Sequence, residues 1–187
     1  MFWSGGPRAT TLFSERIPYD AYWMTLDELE SYGMGRMSDQ EIRGLLSSTR
    51  FGVLGLPTEG APYLLPLSFG FDGDSALYFL YVLGGDSRKD ELTRHSDAAS
   101  FLVYSAETAF NWRSVMLHGM VSEVPADESE DVFEDVMLAW RPVVFEDAVE
   151  QQPTKLYRFD VEEWTGIKHT GLPPGFYGGG DADTTTR

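Results

Sequence analysis

What most constrains this chain is a change of rhythm at Phe51. From there apolar residues, many of them β-branched or aromatic, alternate with small or polar ones over about 51–56, 62–71, 76–83, 99–105 and 113–124, with a last strand or two within 154–169. A period of two puts alternate side chains on opposite faces, so the pattern predicts consecutive half-buried strands. Asp72, Gly73, Asp74 and Ser75 form a tight reversal between the second and third, which makes those two antiparallel neighbours. Short antiparallel strands must hide their edges, and a mainly β, six-stranded barrel, closed or partly closed, with short flanking helices would do so. Periodicity alone does not choose barrel over sandwich.

Around the strands the period lengthens. Thr25 with Glu28, and Ser38 with Glu41, fit the capping box, in which a hydroxyl and a carboxylate satisfy reciprocal donors at a helix start. Helices are predicted over about 25–32 and 38–48, the second burying Ile42, Leu45 and Leu46. A short helix is expected over 86–96, capped by the acid Asp86, and another over 127–140 with Val132, Phe133, Val136, Met137 and Trp140 on one face. Residues 1–24 read as an irregular arm, 25–170 as one domain and 171–187 as a flexible tail with nothing to bury. A chain of 187 residues that is 42% hydrophobic suits a single core.

Charge narrows the partners. Thirty acidic against 14 basic residues give a formal net charge of −16, a field that repels nucleic acid and anionic membranes, and no basic patch overrides it. No apolar run approaches the roughly 20 residues that cross a bilayer, and no leader pattern opens the chain, so the cytoplasm is the expected location. Without cysteine there is neither a disulfide nor a thiolate ligand, and His95, His118 and His169 lack metal-ligand spacing. So much surface acid repels itself in dilute buffer and suits a salt-loving source. The unfolding midpoint is therefore expected to rise between low and molar KCl; equal midpoints would remove the inference.

Three elements carry candidate chemistry. In 62–71, Tyr63, Leu65, Leu67, Phe69 and Phe71 share a core face, while Leu64, Pro66, Ser68 and Gly70 form a second, smaller one. Pro66 removes a ladder donor, as at an edge or a barrel opening, so this second face either meets solvent or admits a flat ring. Ser87, Arg88 and Lys89 at a helix start outline a phosphate-monoester site, or else a solvated, salt-bridged face. On the strand from Trp112 to Gly119, Ser114, Met116 and His118 share a face; His118 is either a satisfied core group or a ligand contact.

In this order, from about Met37 to Lys168, the elements resemble the FMN-binding split-barrel proteins related to pyridoxamine 5'-phosphate oxidase, including the nitroimidazole-resistance branch. The resemblance carries on residues 51–56, 63–72, 76–81, 87–89 and 112–119. It implies a homodimer with two FMN molecules at its interface. Pro66, Leu67, Ser68 and Phe69 would line the isoalloxazine, Leu80 and Tyr81 would meet it from the next strand, and Ser87, Arg88 and Lys89 would grip the phosphate. Ser114 stands where the oxidases carry an amide residue, and with His118 it is a candidate ligand contact. Two extra residues within Val82 to Asp86, and the missing C-terminal arginine signature for substrate phosphate, argue against pyridoxamine phosphate oxidation itself. The implied function is FMN-dependent transfer of hydride or electrons from a reduced nicotinamide to a small organic acceptor. The alternative is a non-catalytic protein binding flavin, deazaflavin or haem.

Overall fold

The computed structural model describes residues 33–125 and 153–171, together with Glu30 and Val132. The arm over 1–24, almost all of the helices expected over 25–32 and 127–140, and the tail from residue 172 lie outside the described residues. Among the described residues, eight strands and two helices follow in chain order: β1 (Met34–Arg36), α1 (Asp39–Ser48), β2 (Phe51–Leu56), β3 (Tyr63–Ser68), β4 (Gly70–Phe71), β5 (Ala76–Val82), α2 (Arg88–Arg94), β6 (Ala99–Thr108), β7 (Asn111–Glu123) and β8 (Thr154–Thr170). They form one antiparallel sheet in the order β3-β2-β6-β7-β8-β5-β4, with β1 on β8. The fold is a split barrel of eight strands where the sequence predicts six, because a three-residue strand, β1, is added and the expected 62–71 strand is two.

That division carries the chain across the open side of the barrel. β3 pairs with β2 along its length, but at Phe69 the chain changes partners, and Gly70 and Phe71 pair with Tyr78 and Leu77 of β5. β3 and β4 are opposite ends of the strand order yet consecutive in the chain, so one corner is joined covalently. Inside, Phe101 is wholly buried, with Phe79, Phe69 and Phe159 at ring-centroid distances of 5.0, 5.3 and 6.4 Å. Burying each such ring or a Leu contributes about 1.5–3 kcal/mol. Gly52 on β2 leaves room for the Phe101 ring, which a Cβ there would overlap.

β8 is the longest strand among the described residues and pairs with β7, β5 and β1. Opposite His118 and Gly119 it contains an extra residue, so Val161 and Trp164, three apart, both pack against the core. No helix among the described residues is long and apolar enough to cross a membrane.

α1 covers one end of the barrel. Its start is the predicted capping box, with Glu41 N 3.4 Å from Ser38 Oγ and Ser38 N 2.9 Å from Glu41 Oε2, and Ile42, Leu45 and Leu46 are buried as the spacing predicts. Arg43 donates to the carbonyls of Gly73 and Asp74 at 3.0 and 2.6 Å, and Trp164 Nε1 donates to Asp39 at 3.1 Å. Glu41 also accepts from Lys168 of β8. Lys168, then the Ser38 amide, hold the Glu41 carboxyl down from 4.5 to about 2. A carboxyl depressed by folding stabilises above its unfolded pKa and loses that contribution as pH falls through the folded one. Denaturation midpoints of the wild type and Glu41→Gln are therefore expected to differ at neutral pH and converge between about pH 4.5 and about 2. Parallel curves over that window would show that the pair adds nothing.

Candidate functional site

The barrel is split between β3 and β5. Continuing the β4–β5 register would set Ser68 against Leu80 and Pro66 against Val82, but the pairing ends at Gly70 and Tyr78. β3 ends the strand order, the edge position expected for Pro66, which has no N–H to offer a further strand. Pro66 is exposed and Ser68 half-buried on the outer face, whereas Phe69 is buried in the core and Leu67 packs against it. The Phe69 N–H is taken by the Arg50 carbonyl at 3.0 Å, and in the alternating antiparallel ladder Leu67 also addresses β2, so the main-chain groups left along the edge are those of Pro66 and Ser68. Leu80 packs outward with Tyr78 and Leu156, and Tyr81 points inward with its hydroxyl 3.0 Å from Thr93 Oγ1. Burial raises the Tyr81 hydroxyl to about 12, so it stays protonated.

α2 lies at the far end of β5 from α1. It begins at Arg88, its N-cap is Ser87 and not the expected Asp86, and Ser87 Oγ makes no capping bond. With seven residues it carries little dipole, so the affinity for anions expected from a helix start rests here on side chains. Arg88 lies over the Tyr63 ring at 5.3 Å and Lys89 over Tyr81 at 5.1 Å. Tyr63 comes from the start of β3, so Arg88 spans the end of the split. Among the described residues no carboxylate lies within 4.0 Å of either cation, although Arg43, Arg94, Lys155, Arg158 and Lys168 all have one. The salt-bridged reading of the pair is thereby removed for the described residues. Burial pushes the Lys89 ammonium below its usual value against the pull of Asp90, the condition of a cation short of an anion. Arg88, though not Lys89, lines a cleft of about 790 Å³ together with the Leu83 to Ser87 segment and α2 residues that include Asp90 and Glu91. A Cβ at Gly84 or Gly85 would meet nothing within 4 Å.

Ser114 and His118 lie elsewhere. Both are on the outer face of β7, which β2 and β6 separate from β3 by three strand spacings, about 14 Å. His118 is exposed with Nδ1 3.0 Å from Ser100 Oγ, so it is not a core histidine; His169 is the buried one, bonded to the Phe110 carbonyl at 2.6 Å. One chain therefore gathers Pro66, Leu67, Ser68, Phe69, Leu80, Tyr81, Ser87, Arg88 and Lys89 around the split and leaves Ser114 and His118 apart. Sequence reasoning missed Tyr63 as the seat of Arg88 and Ser100 as the partner of His118. Both contacts depend on strand register, and no local signal announces them.

A sequence model of the pyridoxamine 5'-phosphate oxidase family matches residues 38–168, well over half of the chain. The chain belongs to that family. Solved structures agree on the fold of this family member. A FAD-binding protein from Mesorhizobium loti superposes with a TM-score of 0.61 at 22% identity, covering 74% of this chain and 98% of its own. The FAD and haem binding protein from Mycobacterium smegmatis gives 0.57 at 16% identity, with 75% of each chain covered. A candidate 5-nitroimidazole antibiotic resistance protein from Bacteroides thetaiotaomicron gives 0.55 at 19% identity, over 73% of this chain and 89% of its own. No curated protein matches this oxidase-family chain.

Proposed function

We propose that this chain binds FMN, with the ring system along the split between β3 and β5 and the phosphate on Ser87, Arg88 and Lys89, and that it acts as an oxidoreductase. The observation that carries the reading is the cation pair: in a chain of net charge −16, an adjacent Arg and Lys sit on aromatic rings with no carboxylate within 4.0 Å among the described residues. Two desolvating rings and an uncommitted serine hydroxyl suit a phosphomonoester, which supplies the missing negative charge. Bound there, the flavin would supply the redox chemistry, carrying electrons from a reduced nicotinamide to a small organic acceptor. The chain's own part is to hold and orient. Main-chain groups of Pro66 and Ser68 on the free edge would address a polar rim, and Leu80 and Tyr81 bound the split from the other side.

The working unit we infer is a homodimer. Leu64, Tyr104, Met120 and Ile167 are 63%, 57%, 51% and 38% exposed, and all lie on the outer face formed by β3, β2, β6, β7 and β8. A second copy on that face would cover a run of exposed apolar side chains that water solvates poorly. Ser114 and His118 share this face, so dimerisation is the route by which they approach a flavin.

The absorption spectrum of protein purified in high salt, before and after FMN is added, tests the cofactor, and anaerobic mixing with NADH and NADPH tests turnover. A flavin spectrum that bleaches with one nucleotide is expected; a colourless dimer that takes up no FMN would sink the reading. The Mycobacterium smegmatis relative, named for both FAD and haem, favours a second reading as a FAD, deazaflavin or haem carrier; the spectrum separates haem and deazaflavin from flavin, and the mass of the released cofactor separates FAD from FMN.

A further inference from the structure

Two buried tyrosine hydroxyls reach into α2 from neighbouring strands. Tyr157 of β8 donates to Asp90 Oδ1 at 2.5 Å, and Tyr81 of β5 lies 3.0 Å from Thr93 Oγ1. Three polar or charged residues are buried among those described, Asp90, Thr93 and His169, and two of them are on this one short helix. Residues three apart share a helix face, so both bonds leave α2 on the side toward the barrel. The two tyrosine rings pack against each other at 4.6 Å between centroids, which fixes the distance between their hydroxyls from within the core. Lys155 at 3.3 Å and Arg94 at 3.2 Å complete the shell around Asp90, so its charge is compensated beside Lys89.

A single bond would let α2 pivot. Two on one face, drawn from donors whose spacing is set by core packing, fix both rotation and slide, because moving the helix would strand a buried polar atom. We propose that Tyr81 and Tyr157 are positioning residues for phosphate recognition: they index α2 against the barrel so that Arg88 and Lys89 stay together at the end of the split. The proposal rests on the reading of Ser87, Arg88 and Lys89 as a phosphate grip, and it assigns selectivity for a phosphorylated flavin to residues that need not touch the ligand.

Tyr157→Phe and Thr93→Val each delete one of these bonds without changing charge. In the double variant FMN affinity is expected to fall at least about tenfold while riboflavin affinity, which does not involve a phosphate, moves less than about twofold. Amide hydrogen exchange across residues 88–94 is expected to accelerate at least about tenfold with β6 protection unchanged, a readout that needs no flavin. Thr93→Ser keeps the hydroxyl and should behave as wild type in both measurements, and it serves if the double variant folds poorly. Equal losses for FMN and riboflavin, or α2 exchange that stays at the wild-type rate, would overturn the proposal. If the wild type binds neither flavin, the phosphate-grip reading fails and the selectivity claim with it, while exchange still reports whether the tyrosines index α2.

Discussion

Replacing Arg88 and Lys89 together by Ala is expected to weaken FMN binding at least about a hundredfold and to leave riboflavin binding nearly unchanged. A hydrogen bond to a charged group contributes about 1.5–3 kcal/mol, and about 1.4 kcal/mol is a factor of ten in affinity. Two such bonds lost together therefore exceed a hundredfold even at the low end. Folding should not suffer, because neither cation has a carboxylate partner among the described residues and Lys89 is held below its usual pKa by burial. Flavin fluorescence titrations with FMN and riboflavin, beside a thermal melt, separate these effects. An FMN affinity equal to wild type would take phosphate recognition away from α2.

The largest stability effect is expected from Gly119→Ala. The extra residue in β8 drives the Asp160 carbonyl against β7, and a Cβ at position 119 would overlap that oxygen while lying 2.9 Å from Asp160 C and 3.2 Å from Val161 Cα. All three atoms are main chain, and Asp160 also pairs with Ala76 of β5, so no rotamer change relieves the overlap. Overpacking of this kind costs about 3 kcal/mol or more, which for a domain of this size lowers Tm by roughly 10 °C. Gly44→Ala, on the exposed side of α1 with nothing within 4 Å, is the matched control, expected to gain about 0.5–1 kcal/mol. A Gly119→Ala protein that melts with the wild type would mean that β7 and β8 do not approach as described.

How much the sequence discloses depends on how local each cause is. The limits and buried stripe of α1 were legible because a capping box and an i, i+3, i+4 spacing lie within a few residues. The strand cores were legible from alternation. The break at Phe69 was not, because Leu67, Phe69 and Phe71 keep the same alternation while their hydrogen-bond partner changes from β2 to β5. β8 read as a strand or two because Glu162 and Glu163 interrupt its rhythm where the extra residue lies. At the site, the adjacent Arg88 and Lys89 could be read directly, whereas Tyr63, 25 residues earlier in the chain, could not. Ser114 and His118 were grouped with the rest by motif order, which carries no information about the strands between them.

The position of β8 has a consequence for how the protein is made. Among the described residues it is the last strand, and it lies between β7 and β5. As the polypeptide leaves the ribosome, the strand pairings available within residues 33–125 are β3-β2-β6-β7 and the β4-β5 hairpin, joined through Phe69 and each with an open edge awaiting the same partner. Tyr157, which secures Asp90, arrives with that partner, so α2 cannot settle during elongation. Completion must wait for residues 154–170 and then proceed as one late, cooperative step. A nascent chain arrested before Thr154 should therefore lack native protection along the open edges of β7 and β5 and in α2.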